Sequence, residues 1–190
     1  MRYDSDHKTQ TRDRIVRNTA TKLRAEGLNG PGVASVMKAS GLTVGGFYKH
    51  FQSKDALFAE AIAEAFSDSE KVFSALQKLP HEQRWREAVR LYLSTEHCNH
   101  PDTGCPVAAL APDIARAKPA VRKRISRLMK ERASRWAAFM PGETPVQRER
   151  NFFVIFGAMA GAVSIARLLT EPADRRKVLT SMRDHLLRTF

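Results

Sequence analysis

The stretch GLTVGGFYKHFQSKDALF, residues 41–58, sets Gly41, Gly45 and Gly46 among Leu42, Phe47, Tyr48 and Phe51 and runs on into Ser53-Lys54-Asp55. Helical patterns flank it, so the glycines need a reason. Gly41 permits a tight turn, because glycine enters the left-handed backbone region without steric cost. Leu42 plugs that turn, and Thr43 caps a third helix running to about Phe51. Ser53 caps a fourth, with Asp55 in its first turn, where a carboxylate is favoured. Two short helices joined so tightly are the helix-turn-helix arrangement, whose second helix enters the DNA major groove. Leu42, Phe47 and Phe51 supply the apolar hold, leaving Val44, Gly45, Gly46, Tyr48 and Lys49 for the outer face. Gly45 and Gly46 are poor helix formers, and their missing side chains let backbone approach DNA closely. Val44 suits a thymine methyl. Thr43, Tyr48, Lys49, His50 and Lys54 suit phosphates, the last at a helix start whose free N–H groups also favour anions.

Working outward, Ile15, Val16, Thr19, Ala20 and Leu23 make an apolar stripe at helical spacing over residues 12–25, closed by Gly27. Residues 33–40 form a very short second helix that faces inward through Val33, Val36 and Met37. Beyond residue 70 the pattern predicts helices over 84–97, 107–114, 120–139, 148–169 and 173–188. Prolines between them mark turns or first helical turns. No alternating strand pattern persists anywhere.

The chain has 190 residues, enough to bury a real core, and 43% of them are hydrophobic. Its net charge of +12 suits a polyanionic partner, nucleic acid before an anionic membrane. The first ten residues are polar and carry no secretory signal, and the uncharged run at 151–166 is short for a membrane span. A cytoplasmic protein is expected.

Residues 12–62 resemble the TetR family of bacterial transcriptional regulators. The likeness lies in TRDRIVRNTATKLRAEGLNG and in VASVMKASGLTVGGFYKHFQSKDALFAEAI, where residues 41–58 follow the family pattern almost throughout. It implies an all-α fold of about nine helices. An N-terminal three-helix helix-turn-helix unit, residues 1–52, is followed by a larger helical effector-binding and dimerisation domain, residues 53–190, entered through the fourth helix. It also implies a repressor that binds an inverted-repeat operator on double-stranded DNA as a homodimer and is released by a small molecule. Thr43, Tyr48, His50 and Lys54 match the usual phosphate-contacting positions; Val44, Gly45 and Lys49 match those that choose bases. The chain departs from the pattern at Pro31-Gly32, where the family has Thr or Ser. Gly32 still caps at a cost of only a few tenths of a kcal/mol, by roughly the ranking of capping residues.

In the body, NFFVIFGAMAGAVSIARLL (residues 151–169) is apolar on all sides, which fits burial in a core or an interface. Phe152, Phe156, Gly157, Ala160, Gly161 and Ser164, with Val178, Met182 and Leu186 of the last helix, form the expected dimer face. Phe73, Trp85, Tyr92, Trp136, Phe139, Phe152 and Phe156 are the candidate walls of a mainly apolar effector pocket. HCNHPDTGCP, residues 97–106, collects metal-ligand types, but adjacent His97-Cys98 and the lack of a Cys-x₂-Cys pair do not fit a structural zinc site. Cys98 and Cys105 are open to two readings: buried small residues ahead of a proline-initiated helix, or a thiol sensor. No metal, cofactor or catalytic constellation is expected. The rival to DNA binding is a basic helical membrane-surface or adaptor protein, suggested by VRKRISRLMKERASRW.

Overall fold

The computed structural model describes residues 2–190, without the side chains of residues 2–5 and 69. The described residues form ten α-helices, one 3₁₀ helix and no strand. The N-terminal unit comprises α1 (Arg2–Glu26), α2 (Val33–Ala39) and the 3₁₀ helix Val44–Lys49, and α3 (Lys54–Ser67) leads out of it. The body continues through α4 (Ser69–Leu76), α5 (His81–Tyr92), α6 (Thr95–Asn99) and α7 (Pro106–Arg116). It ends with the long α8 (Pro119–Ala137), α9 (Pro145–Leu168) and α10 (Pro172–Thr189).

Local chemistry sets these boundaries. Proline opens each of α7 to α10, where its missing N–H is no loss. Thr144 and Gln147 close a reciprocal capping box on α9. The single helix expected over 84–97 is instead broken at Leu93-Ser94. Ser94 takes the cap position of α6, accepting the His97 N–H at 3.1 Å. Pro112, read with the other prolines as the mark of a turn or first helical turn although it falls within the helix expected over 107–114, sits inside α7. It deprives the Ala108 carbonyl of its helical donor, and the Ser164 hydroxyl of α9 supplies a bond to that carbonyl at 3.1 Å.

Apolar burial gathers in two clusters. The N-terminal one holds Ile15, Leu23, Val36, Met37, Phe47 and Phe51, and also Leu57, Phe58 and Ile62 of α3, Leu110 of α7 and Ile125 of α8. The expected division between residues 52 and 53 therefore falls inside this core. The second cluster packs Trp85, Val89 and Leu93 of α5 and its end against Trp136, Phe152, Val163, Leu179 and Leu186. Each such side chain contributes about 1.5–3 kcal/mol when fully buried. By length and composition α9 could cross a membrane, but Phe152, Ile155, Met159, Ala162 and Val163 on it are buried within the body.

Arg24 ties the two parts. Its side chain is 2% exposed and donates to Asp68 at 2.8 Å, to the Gly104 carbonyl at 3.4 Å and to the Ala65 carbonyl at 3.5 Å. One guanidinium of α1 thus holds the α3–α4 junction and the loop before α7. Arg24→Ala is expected to cost about 1–3 kcal/mol in urea unfolding, the range set by a buried cation whose partner is half in water. Arg24→Lys, which cannot span all three acceptors, should restore only part of it.

Candidate nucleic-acid interface and the cavity behind it

The turn before the 3₁₀ helix is closed by backbone bonds. Gly41 has φ of +70°. Its N–H donates to the Lys38 carbonyl at 3.0 Å, and that of Leu42 donates to the Met37 carbonyl at 2.9 Å. These are the paired bonds of a Schellman turn, which needs a left-handed residue where Gly41 stands. Asn18 of α1 stitches the turn down, its side-chain amide donating to the Ala39 carbonyl at 3.1 Å and to Ser40 Oγ at 3.2 Å.

The third helix is shorter and tighter than the sequence suggests. With two adjacent glycines it winds as 3₁₀, held by Gly46 N–H to the Thr43 carbonyl at 3.1 Å and His50 N–H to the Phe47 carbonyl at 3.0 Å. Thr43 occupies the cap position but makes no side-chain cap bond, contrary to expectation. Ser53 does cap α3, accepting the Ala56 N–H at 3.1 Å. Phe47 and Phe51 point into the core, 1% and 3% exposed.

The remaining residues lie outward. Tyr48 is 79% exposed and Val44 51%; Thr43, Gly45 and Lys49 are also exposed, and Gly46, His50 and Lys54 half-buried. A Cβ added at Gly45 would meet no atom within 4 Å, and one at Gly46 only the Met37 methyl at 3.7 Å. The fold itself does not demand either glycine. Lys54 holds its ammonium over the Phe58 ring at 4.8 Å.

His50 has a buried Nδ1 without a partner. Burial above all, then the charges of Lys8, Arg12 and Lys49, hold its pKa below the usual imidazole value. Arg12 is itself paired with Glu60 at 2.7 Å, so Lys8 and Lys49 are the cations beside this neutral imidazole that favour an anion. Lys8 and Arg12 went unremarked in the sequence, although their four-residue spacing puts them on one face of α1.

Behind this face the body encloses a cavity of about 480 Å³. Of the expected walls, Trp85, Tyr92, Trp136, Phe152 and Phe156 line it. Phe73 and Phe139 do not; they stack on one another at 4.3 Å and brace Trp136 from outside the cavity. Polar groups also line it, among them Arg132, His97 and Cys105. Sequence reading missed Arg132. The guanidinium lies 5.0 Å from the Trp136 ring centre and 5.9 Å from that of Phe156. Burial lowers the pKa of Arg132, while the neighbouring Cys105, Tyr92 and Glu70 act to raise it.

The 97–106 stretch has a structural job. His97 Nδ1 pairs with the Tyr92 carbonyl at 2.7 Å, and Nε2 accepts the Cys105 N–H at 2.9 Å. Both ring nitrogens are thereby used in the neutral form, consistent with a pKa lowered chiefly by burial. Among the described residues, no group of three His, Cys, Asp or Glu side chains is placed to hold a metal ion. Cys98 is buried in the core, and Cys105 is half-buried on the cavity wall.

The expected dimer face divides. Phe152 and Phe156 turn to the cavity, Leu186 and Ala160 are buried, and Ser164 bonds toward α7. Gly157 and Gly161 face outward, in line with exposed Val146, Phe153, Val154, Ile165 and Leu168. Val178 and Met182 of α10 line a shallow depression beside Ile165.

Residues 15–61 match the family model described as bacterial regulatory proteins, tetR family. A Bacillus subtilis (strain 168) relative, the HTH-type transcriptional regulator YdgC, is 33% identical over 67 residues, which cover 35% of this chain and 34% of that protein. The match thus spans about a third of that relative's length. The fold is shared with a TetR-family regulator from Cytophaga hutchinsonii at a TM-score of 0.78, 20% identity and 95% coverage of each chain. It is also shared with FadR of Bacillus subtilis, solved in complex with stearoyl-CoA, at a TM-score of 0.68 and 12% identity, over 91% of this chain and 96% of that one. With its turn at Gly41 and its matched residues 15–61, the N-terminal unit of the chain is that of the TetR family of bacterial regulatory proteins, and the helical body shares the fold of solved TetR-family regulators.

Proposed function

We propose that the chain is a cytoplasmic DNA-binding transcriptional repressor that grips an inverted-repeat operator as a homodimer and lets go when a small, mainly apolar molecule fills the cavity. The observation that carries this is the outer face of the 3₁₀ helix. Tyr48 and Val44 stand in solvent, and beside them Gly45 and Gly46 lack side chains for no reason internal to the fold. Tyr48, Lys49, His50 and Lys54 take the phosphate backbone, joined by Lys8. Val44 and the glycines meet base edges. So few reading side chains leave part of the sequence preference to DNA shape.

Dimerisation rests on the outward stripe of α9, continued by Val178 and Met182 of α10. Apolar residues at 146, 153, 154, 165 and 168 follow helical spacing around Gly157 and Gly161. Small residues there admit a second helix at close range. A two-fold copy then sets two recognition segments for two half-sites.

Selection of bound sequences from random duplexes tests this reading, and should return a palindrome. On that site Tyr48→Ala and Lys54→Ala are each expected to weaken binding about tenfold or more, the scale of a lost phosphate contact. Lys54→Ala should also reduce the slope of log affinity against log salt by about one, and Tyr48→Ala should not. Full binding by both variants, or binding to anionic vesicles that ignores both changes, would point to the membrane-surface alternative.

A further inference from the structure

We propose that the start of α8 is a second phosphate-binding surface, which grips the duplex DNA flanking each half-site through Arg122, Lys123 and Arg124. This rests on the DNA-binding reading above and extends the footprint beyond the helix-turn-helix unit. From Arg116 to Arg135 the chain carries nine cations and one carboxylate, Glu131. The fold does not use most of them. α8 turns Val121, Ile125, Leu128 and Trp136 inward, and leaves Arg122, Lys123, Arg124, Arg127 and Lys130 exposed. The charge is unfavourable where it stands. Lys123, Arg127 and Lys130 follow spacings of four and three, which set like charges side by side on one helix face. The first turn holds no acidic residue, and the positive end of the helix dipole disfavours cations nearby.

Carboxylates answer other parts of this run. Arg116 pairs with Asp113 at 3.3 Å, and Arg127 with Glu131 at 3.8 Å. Among the described residues no acid pairs with Arg122, Lys123 or Arg124. Two further ion pairs orient the helix. Lys118, just before α8, meets Asp55 at the start of α3, and Arg135 near the end of α8 meets Glu70 just past the end of α3, at 2.6 Å. α8 therefore runs beside α3 in the same direction. The start of α3 carries Lys54, a phosphate contact of the proposed interface, so residues 122–124 stand at the DNA end of α8. At about 1.5 Å per residue, Lys130 lies roughly 10 Å farther from that end than Lys123. A lipid surface is the poorer partner. It would take up an apolar helix face, and α8 spends its own on the two cores of the protein.

The test uses the palindrome returned by selection in two duplexes. One ends at its outer base pairs, and the other carries about ten further base pairs of mixed sequence, one helical turn, on each side. The native chain is expected to bind the longer duplex about tenfold tighter, with a slope of log affinity against log salt steeper by about two or more. Duplex ends weaken ion release for any protein, so the variants decide. Arg122→Gln, Lys123→Gln and Arg124→Gln together should cancel most of the gain and of the added slope, and leave the short duplex within about threefold of native. All three side chains are exposed, so the fold is not at stake. Lys130→Gln should leave both duplexes unchanged, because roughly a Debye length separates it from the flank. No gain in the native chain, a gain that survives the triple substitution, or one lost equally to Lys130→Gln would overturn the inference and leave the helix-turn-helix interface standing. Binding to phosphatidylglycerol vesicles that the triple substitution abolishes, with neither duplex affected, would also overturn it and assign the basic run to a lipid surface. Binding to neither duplex would remove the DNA-binding reading and this inference together.

Discussion

Phe47→Ala is expected to abolish operator binding, lowering affinity more than a hundredfold, while most helical signal in circular dichroism survives. The 3₁₀ helix has little to hold it by itself. It is six residues long, two of them glycines that each cost about 1 kcal/mol in a helix, and its hydrogen bonds are few. Its position is fixed by Phe47, 1% exposed, which packs edge-on to Tyr48 at 5.2 Å and against Phe51 at 5.8 Å. Deleting a buried phenyl costs about 3–5 kcal/mol. That loss falls on the N-terminal core, so the outer face loses its register before the body loses its helices. The neighbouring Tyr48→Ala, 79% exposed, is the control: it removes one contact and leaves thermal stability nearly unchanged. Affinity of Phe47→Ala within a few-fold of the native chain would show that the segment is ordered by something other than its buried ring.

This contrast explains what could be read from the sequence. Gly41 announced its turn because glycine alone reaches φ of +70° cheaply, and the Schellman bonds follow from that one residue. Proline marked the starts of α7 to α10 because its missing N–H is one of the first-turn donors that have no partner within the helix. The 3₁₀ winding was harder to see: periodicity gives the inward positions 47 and 51, but two glycines remove the preference that separates one winding from the other. Pro112 stood in conflict with the helix expected over 107–114, and the helix prevails. Its helix continues because Ser164, distant in sequence, satisfies the carbonyl that proline strands.

The cavity shows the same limit. Its aromatic residues were visible as large apolar side chains, yet nothing local distinguishes a wall such as Phe156 from a brace such as Phe139. Arg132 was hidden among the many basic residues of α8. A signal was present, since Ile125, Met129, Arg132 and Trp136 repeat at helical spacing and put this one arginine on the buried stripe. His97 and Cys105 looked like ligand types because residue identity says nothing of whether a ring nitrogen is already taken by backbone. Arg24 was likewise indistinguishable from the arginines on the solvent face of α1 until its three acceptors, drawn from two other segments, were in place.

In the proposed homodimer, Gly161→Glu is expected to separate the two copies and to lower operator affinity by about 10² to 10⁴, the gain that linking two half-site contacts provides. The substitution is informative because of where the glycine lies. A Cβ at Gly161 would meet no atom of its own chain within 4 Å, and the same holds at Gly157. A carboxylate there therefore leaves the protomer's own packing untouched, whereas Phe153→Glu or Ile165→Glu would also change the apolar surface of the free chain. Between two copies, each glutamate would be desolvated against the outward stripe and face its symmetry mate, a like-charge burial that binding cannot offset. Gly161→Ala separates the two roles further. On a helix that ends in solvent, alanine would add about 1 kcal/mol of stability; at a close helix–helix crossing it would push the copies apart and weaken association. Sedimentation of both variants, alongside urea unfolding, reads the two effects independently. A Gly161→Glu chain that still sediments as a dimer would move the interface off α9, and the outward apolar stripe from Val146 to Leu168 would then need another partner.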